Sequence, residues 1–160
     1  MQQARFSHGV SIFGDKTLIL GGRVDWFSTT NLASVLLYDI TKNECKELAA
    51  LPYPVSGMAT VKWGDDSVII VGGADSDGQP LNKVLLYNIK TQKSHMLPDM
   101  ESKRRGCVAA VVRDTVIVMG GRNKRGKCLM SVECFRFDRY SWQELPEMHT
   151  AKYLATAVVC

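Results

Sequence analysis

Nothing in this sequence is long and apolar enough to span a membrane, since no stretch reaches the roughly 18 consecutive apolar residues that a span needs. The amino terminus, MQQARFSHGV, lacks the apolar segment of a signal peptide. The five cysteines (45, 107, 128, 134 and 160) are odd in number and contain no CxxC pair. The six-residue step from Cys128 to Cys134 is not a usual zinc spacing. A disulfide framework is therefore not expected, and a reducing compartment, the cytoplasm, fits best. A large excess of charge of one sign is also lacking, with 20 Lys and Arg against 16 Asp and Glu. A net charge of +4 is too slight to argue for nucleic acid. No GxxxxGK[ST] follows any glycine pair, so a phosphate loop is excluded.

What the chain has instead is repetition. An apolar run stopped by two glycines occurs at 17–22 (TLILGG), 67–73 (SVIIVGG) and 115–121 (TVIVMGG). The glycine pairs begin at 21, 72 and 120, which are 51 and 48 residues apart. A period of that length is the signature of a repeat architecture. Before each run lies a stretch of small and β-branched residues (8–13, 57–63, 106–112) and a tight turn rich in Gly and Asp. A polar loop follows each glycine pair. A third stretch comes next: VLLYDI at 35–40, VLLYNI at 84–89 and VECFRF at 132–137. A fourth (45–48, 94–97, 142–145) leads to Leu-Pro at 51–52, 97–98 and 145–146.

Short apolar runs bounded by turns read as strands buried on both faces, and proline ends the last one because it cannot donate to a ladder. Each repeat is then a four-stranded antiparallel meander. Such a sheet buries both faces only against copies of itself, and radial stacking gives a propeller. The glycines admit positive φ and close backbone approach where strands converge.

The glycine pair after the second strand, the third-strand aromatic (Tyr38, Tyr87, Phe135) and the L-P-x-M ending resemble kelch repeats over nearly the whole chain. Kelch repeats usually carry a Trp seven residues after that aromatic. Trp142 fits, whereas Cys45 and Ser94 hold the other two places. The expected fold is all-β, a kelch-type β-propeller segment of three four-stranded antiparallel blades (about 5–51, 55–99 and 104–147) plus the first strand of a fourth (151–160). Residues 152–160 align with 104–112. Three and a fraction blades do not close a ring of four to eight. The favoured explanation is a fragment of a longer kelch protein, and the alternative is a homodimer of two chains completing one ring.

Strand direction places the loops after the glycine pairs and the links between repeats at one end of the sheets. That face gathers Lys103, Arg104, Arg105, Arg122, Lys124, Arg125 and Lys127 from the third repeat. Convergent arginines suit an acidic peptide or a phosphate, because the guanidinium fork binds carboxylate in bidentate fashion. The opposing reading is a solvated run of loop charge. Counted back from the glycine pairs, Arg5, Ser56, Arg104 and Lys152 hold equivalent positions. The second-repeat loop is acidic, with Asp75 and Asp77. The first-repeat loop holds Trp26 and Phe27, either an anchor for a partner or a lid over its own blade. Aromatic interleaving of the kind that holds single-stranded nucleic acid is absent around 122–127. By resemblance to kelch substrate adaptors, Arg104, Arg105 and Ser56 are candidates for a substrate pocket.

No nucleophile and base stand at a readable spacing, and His8, His95 and His149 occupy unrelated places in their repeats. Neither an enzyme nor a cofactor is expected. Cys107 follows three cationic residues, a setting that lowers a thiol's pKa, although a cysteine in a small-residue strand is more often buried. The reading is a protein-interaction module. The resemblance implies a propeller behind a BTB domain, absent from this sequence, that delivers substrates to a cullin-RING ubiquitin ligase. A cytoskeletal (actin-binding) or scaffold protein ranks second, and a fragment of a kelch-fold copper oxidase third.

Overall fold

A computed structural model of the chain describes residues 4–25 and 30–157. Among these residues there is no helix. The first sheet comprises β1 (Gly9–Phe13), β2 (Lys16–Leu20), β3 (Val35–Asp39) and β4 (Glu44–Leu48). The second comprises β5 (Ala59–Trp63), β6 (Ser67–Val71), β7 (Val84–Asn88) and β8 (Lys93–Leu97). The third comprises β9 (Val108–Val112), β10 (Thr115–Met119), β11 (Val132–Arg136) and β12 (Ser141–Leu145). Each is an antiparallel meander in chain order. These are three propeller blades, as the repeat predicts.

Two cores lie between the blades. Leu18, Leu20 and Val35 of the first blade pack with Val68, Ile70, Leu85 and Tyr87 of the second. Ile69, Val71 and Val84 of the second pack with Val116, Val118 and Phe135 of the third. Successive residues of a strand point to opposite faces, so the middle blade feeds both cores. This is why β6 is apolar along almost its whole length and why its Val68, Ile69, Ile70 and Val71 are all fully buried.

One aromatic bond recurs across these interfaces. The Tyr87 hydroxyl donates to the Ala49 carbonyl at 2.9 Å, tying the second blade to the exit of the first. Phe135 stands at the corresponding place in the third blade and has no hydroxyl. There the Trp142 indole donates instead, to the Pro98 carbonyl at 2.7 Å. The missing tryptophan at Ser94 is thus matched by the tyrosine directly opposite it on the neighbouring strand, and a partner for the preceding blade is kept in both repeats.

The glycine pairs are the joints. The second glycine of each pair donates its N–H to the lead-in of the next repeat: Gly22 to the Val55 carbonyl at 2.9 Å, Gly73 to Arg104 at 3.0 Å and Gly121 to Lys152 at 2.8 Å. The first glycine lies flat against the same carbonyl. At Gly72 an added Cβ would stand 2.5 Å from the Arg104 oxygen, and φ is +61°. A second chain of bonds runs across the blades through Gly57 N–H to the Ser7 carbonyl, Gly106 to Gly57 and Leu154 to Gly106, at 2.8, 2.7 and 2.9 Å. All four residues have positive φ.

This left-handed residue delays each first strand. Pairing starts at Gly9, Ala59 and Val108, later than the 8, 57 and 106 read from composition. The fourth repeat docks through Lys152 and Leu154 as its predecessors do. Residues 151–157 carry no strand, and the remainder of the expected fourth-blade strand lies outside the described residues.

Counting back from the glycines misaligns one repeat. The turn between β5 and β6 has three residues (64–66), whereas the corresponding turns hold two (14–15 and 113–114). The backbone bridges show the true correspondence: Phe6 with Arg23, Ser56 with Ala74, and Arg105 with Arg122. Ser56 is therefore the counterpart of Phe6 and Arg105, not of Arg104. Val55 stands where Arg5, Arg104 and Lys152 stand.

Candidate functional site

The loops after the second and third glycine pairs share one backbone frame. Ala74 bridges Pro80, and Arg122 bridges Cys128. Asp75 and Asn123 each open a loop in the same way, donating N–H to the Gln79 and Lys127 carbonyls at 3.0 Å. Their carbonyls accept from Gly78 and Gly126, also at 3.0 Å. Their side-chain oxygens accept from the Gln79 and Lys127 N–H groups at 2.8 and 3.1 Å. Short Asx-type bonds of this kind give a loop its shape locally. On this common frame the second blade presents Asp-Ser-Asp-Gly-Gln and the third Asn-Lys-Arg-Gly-Lys.

Arg104 is not on this face. It is fully buried, and both terminal nitrogens are committed. Nη1 donates to the Gly120 and Ser131 carbonyls at 2.8 and 3.1 Å. Nη2 donates to Ser131 Oγ at 3.0 Å and pairs with the Glu133 carboxylate. Glu133, equally buried, also accepts the backbone N–H groups of Glu101 and Ser102 at 2.8 and 3.1 Å. Arg5 makes the corresponding bond in the first blade, to the Gly21 carbonyl at 3.1 Å. The arginine read as a binding residue is thus an internal clamp, because a buried carboxylate needs a cation beside it. Glu133 was the signal for this. It stands where Leu36 and Leu85 stand in the other repeats, a lone carboxylate in an apolar strand.

Arg105 and Arg122 are half-buried and joined by two backbone hydrogen bonds, at 3.1 and 2.8 Å. Arg105 Nη1 reaches the Gly78 carbonyl of the second-blade loop at 3.1 Å. The Arg122 guanidinium lies over the Tyr153 ring, 4.8 Å from its centroid. Both arginines therefore span from one blade to its neighbour. Ser56 is buried, with its backbone paired to Ala74. Trp26 and Phe27 lie outside the described residues.

Lys124 and Arg125 stand exposed on the third-blade loop, together with Lys127, and Lys103 is exposed on the link from the second blade. Between link and loop is a shallow concavity of about 280 Å³ lined by Ser102, Lys103, Asn123, Lys124, Arg125 and Leu129. One wall of it, at Ser102, is the backbone that Glu133 holds from below. The structure thus brings Lys103 together with Lys124 and Arg125, as the strand directions predict. It withdraws Arg104 from them.

Cys107 is buried, and burial pushes its thiol up to about 11 despite the nearby Arg104 charge. The thiol is protonated at neutral pH, which contradicts a sensor role. Burial, and then the Arg5 charge, hold the His8 pKa below its ordinary value. His95 Nε2 is 3.2 Å from the Tyr140 hydroxyl of the next blade. Among the described residues, no three His, Cys, Asp or Glu side chains gather into a metal-holding group.

Residues 2–157 match the family model described as the KLHDC2/KLHL20/DRC7 Kelch-repeats domain. The chain is 30% identical over 123 residues to Kelch-like protein 41a of Danio rerio, covering 77% of this chain and 20% of that protein. It is 30% identical over 117 residues to a cowpox virus protein named for Kelch repeats and a BTB domain, covering 73% of this chain and 21% of that protein. It is 28% identical over 115 residues to an Arabidopsis thaliana F-box/kelch-repeat protein, covering 69% of this chain and 27% of the relative. The chain thus spans about a fifth to a quarter of the length of these relatives.

Proposed function

The chain belongs to the kelch-repeat family, and from that premise we propose that it is a protein-recognition module whose basic third-blade concavity takes an acidic peptide segment. The observation that carries this reading is the set of Lys103, Lys124 and Arg125, contributed by two segments to one concavity. Lys124 and Arg125 form no ion pair among the described residues. Exposed cations with no internal acidic partner are available to an external one, and they steer its approach.

In the wider protein the module presents substrates to a cullin-RING ubiquitin ligase through a BTB domain, in the cytoplasm. Support for this comes from relatives in which kelch repeats accompany a BTB domain. A homodimer that closes the ring is the competing assembly.

The test is binding of a glutamate-rich peptide, read by fluorescence anisotropy. The double variant Lys124→Ala with Arg125→Ala is expected to weaken it about tenfold or more, a loss of at least about 1.4 kcal/mol. Unchanged affinity would remove the concavity from the recognition surface. Arg104→Ala is not a test of binding, because that side chain holds the blade together.

A further inference from the structure

Resting on the reading just given, we infer that the partner segment is bipolar, with acidic residues over the third blade and a cationic residue over the second. Two neighbouring loops share one hydrogen-bonded frame and carry opposite charge. Residues 75–79 hold two aspartates and no cation, and residues 123–127 hold three cations and no carboxylate. Asp77 and Arg125 occupy matching places, each just before the left-handed glycine (Gly78 at φ +74°, Gly126 at φ +75°), and both are exposed.

The two loops are tied side by side. Arg105 pairs by its backbone with Arg122, which opens the basic loop, and by its guanidinium with Gly78 in the acidic one. An extended segment leaving the concavity toward the second blade therefore passes Arg105 and meets Asp77. Asp75 is not available in the same degree, since its carboxylate already accepts the Gln79 N–H at 2.8 Å. Among the described residues Asp77 has no such bond and makes no ion pair.

A field that changes sign across one face does two things. It orients an approaching partner, and it rejects a uniformly acidic segment at its far end through like charge at Asp77. Arg105 contributes by holding the loops adjacent and is a positioning residue.

Three unstructured Gly/Ser peptides test this with the 160-residue chain: one with a glutamate cluster, one with a lysine cluster, and one with a glutamate cluster at one end and a lysine pair at the other. The bipolar peptide is expected to bind about tenfold more tightly than the glutamate peptide. Asp77→Lys is expected to erase that preference while leaving the glutamate peptide bound at least as well. Asp77 is exposed and forms no ion pair among the described residues, so this variant keeps the fold. Equal binding of the bipolar and glutamate peptides by the natural chain, with no change in Asp77→Lys, would overturn the bipolar inference and leave the acidic-peptide reading standing. Binding of none of the three would overturn both.

Discussion

Arg104 and Glu133 form a fully buried ion pair in the third blade, and the second blade shows what the chain does without one. There Val55 and Leu85 stand at the two corresponding places, both buried. Replacing one partner of a buried pair strands the other charge. Arg104→Val is therefore expected to cost about 3–5 kcal/mol, read by urea denaturation. Adding Glu133→Leu, which copies the second blade, is expected to restore at least half of that loss. A double variant no better than the single one would show that the N–H groups of Glu101 and Ser102, also held by Glu133, dominate. Cys107 sets a second residue-scale expectation. Its folded pKa of about 11 lies above the ordinary value of 9.0. The unfolded thiol ionises first, so stability is full below pH 9 and falls as pH rises to about 11, by a few kcal/mol. Tyr53, pushed up to about 12 by burial, extends the same trend. At neutral pH iodoacetamide is expected to label the exposed Cys45 quickly and Cys107 only as fast as the chain opens.

At the scale of the element, the joint between blades is a backbone device. Gly72→Ala would set a Cβ against the Arg104 carbonyl in a left-handed conformation, whereas Gly64, at the same φ in the β5–β6 turn, has nothing within 4 Å of an added Cβ. Gly64→Ala is expected to cost about 1–2 kcal/mol and Gly72→Ala at least about 3, by the same denaturation measurement. Equal losses would mean that the close approach carries no energy. The joints also show what was legible in the sequence. The runs TLILGG, SVIIVGG and TVIVMGG gave away β2, β6 and β10 as short apolar segments bounded by turns, but of the three β6 alone is buried on both faces as expected; β2 and β10, in the end blades, bury alternate residues (Leu18 and Leu20, Val116 and Val118). The left-handed residue in each lead-in was hidden at Ser7 and Leu154, which carry no glycine to mark it. The extra turn residue at 64–66 shifted Ser56 out of register, since spacing alone does not say which segment received an insertion. The basic loop could be read from local sequence. The withdrawal of Arg104 depended on Glu133, a residue 29 positions away, and on the fold that brings them together.

For the whole molecule, no described strand covers the outer faces of the two end blades. On β1 the outward residues Val10 and Ile12 are 44% and 63% exposed, and on β9 Val112 is 44% exposed. Apolar sheet faces in that condition favour association. The 160-residue chain is expected to self-associate in sedimentation velocity, and Ile12→Lys is expected to shift it toward the monomer. A concentration-independent monomer would show that neither face recruits a neighbour. The glycine joints have a further consequence for inheritance. A repeat as written runs from its lead-in to Leu-Pro, yet its glycine pair is completed by residues of the following repeat. Any unequal crossover between two copies therefore removes half of a joint and supplies an equivalent half from elsewhere, because all three joints bond in the same way. Repeats joined like this can be gained or lost by recombination without leaving a broken seam, while the loops they carry, acidic in one copy and basic in the next, are free to diverge.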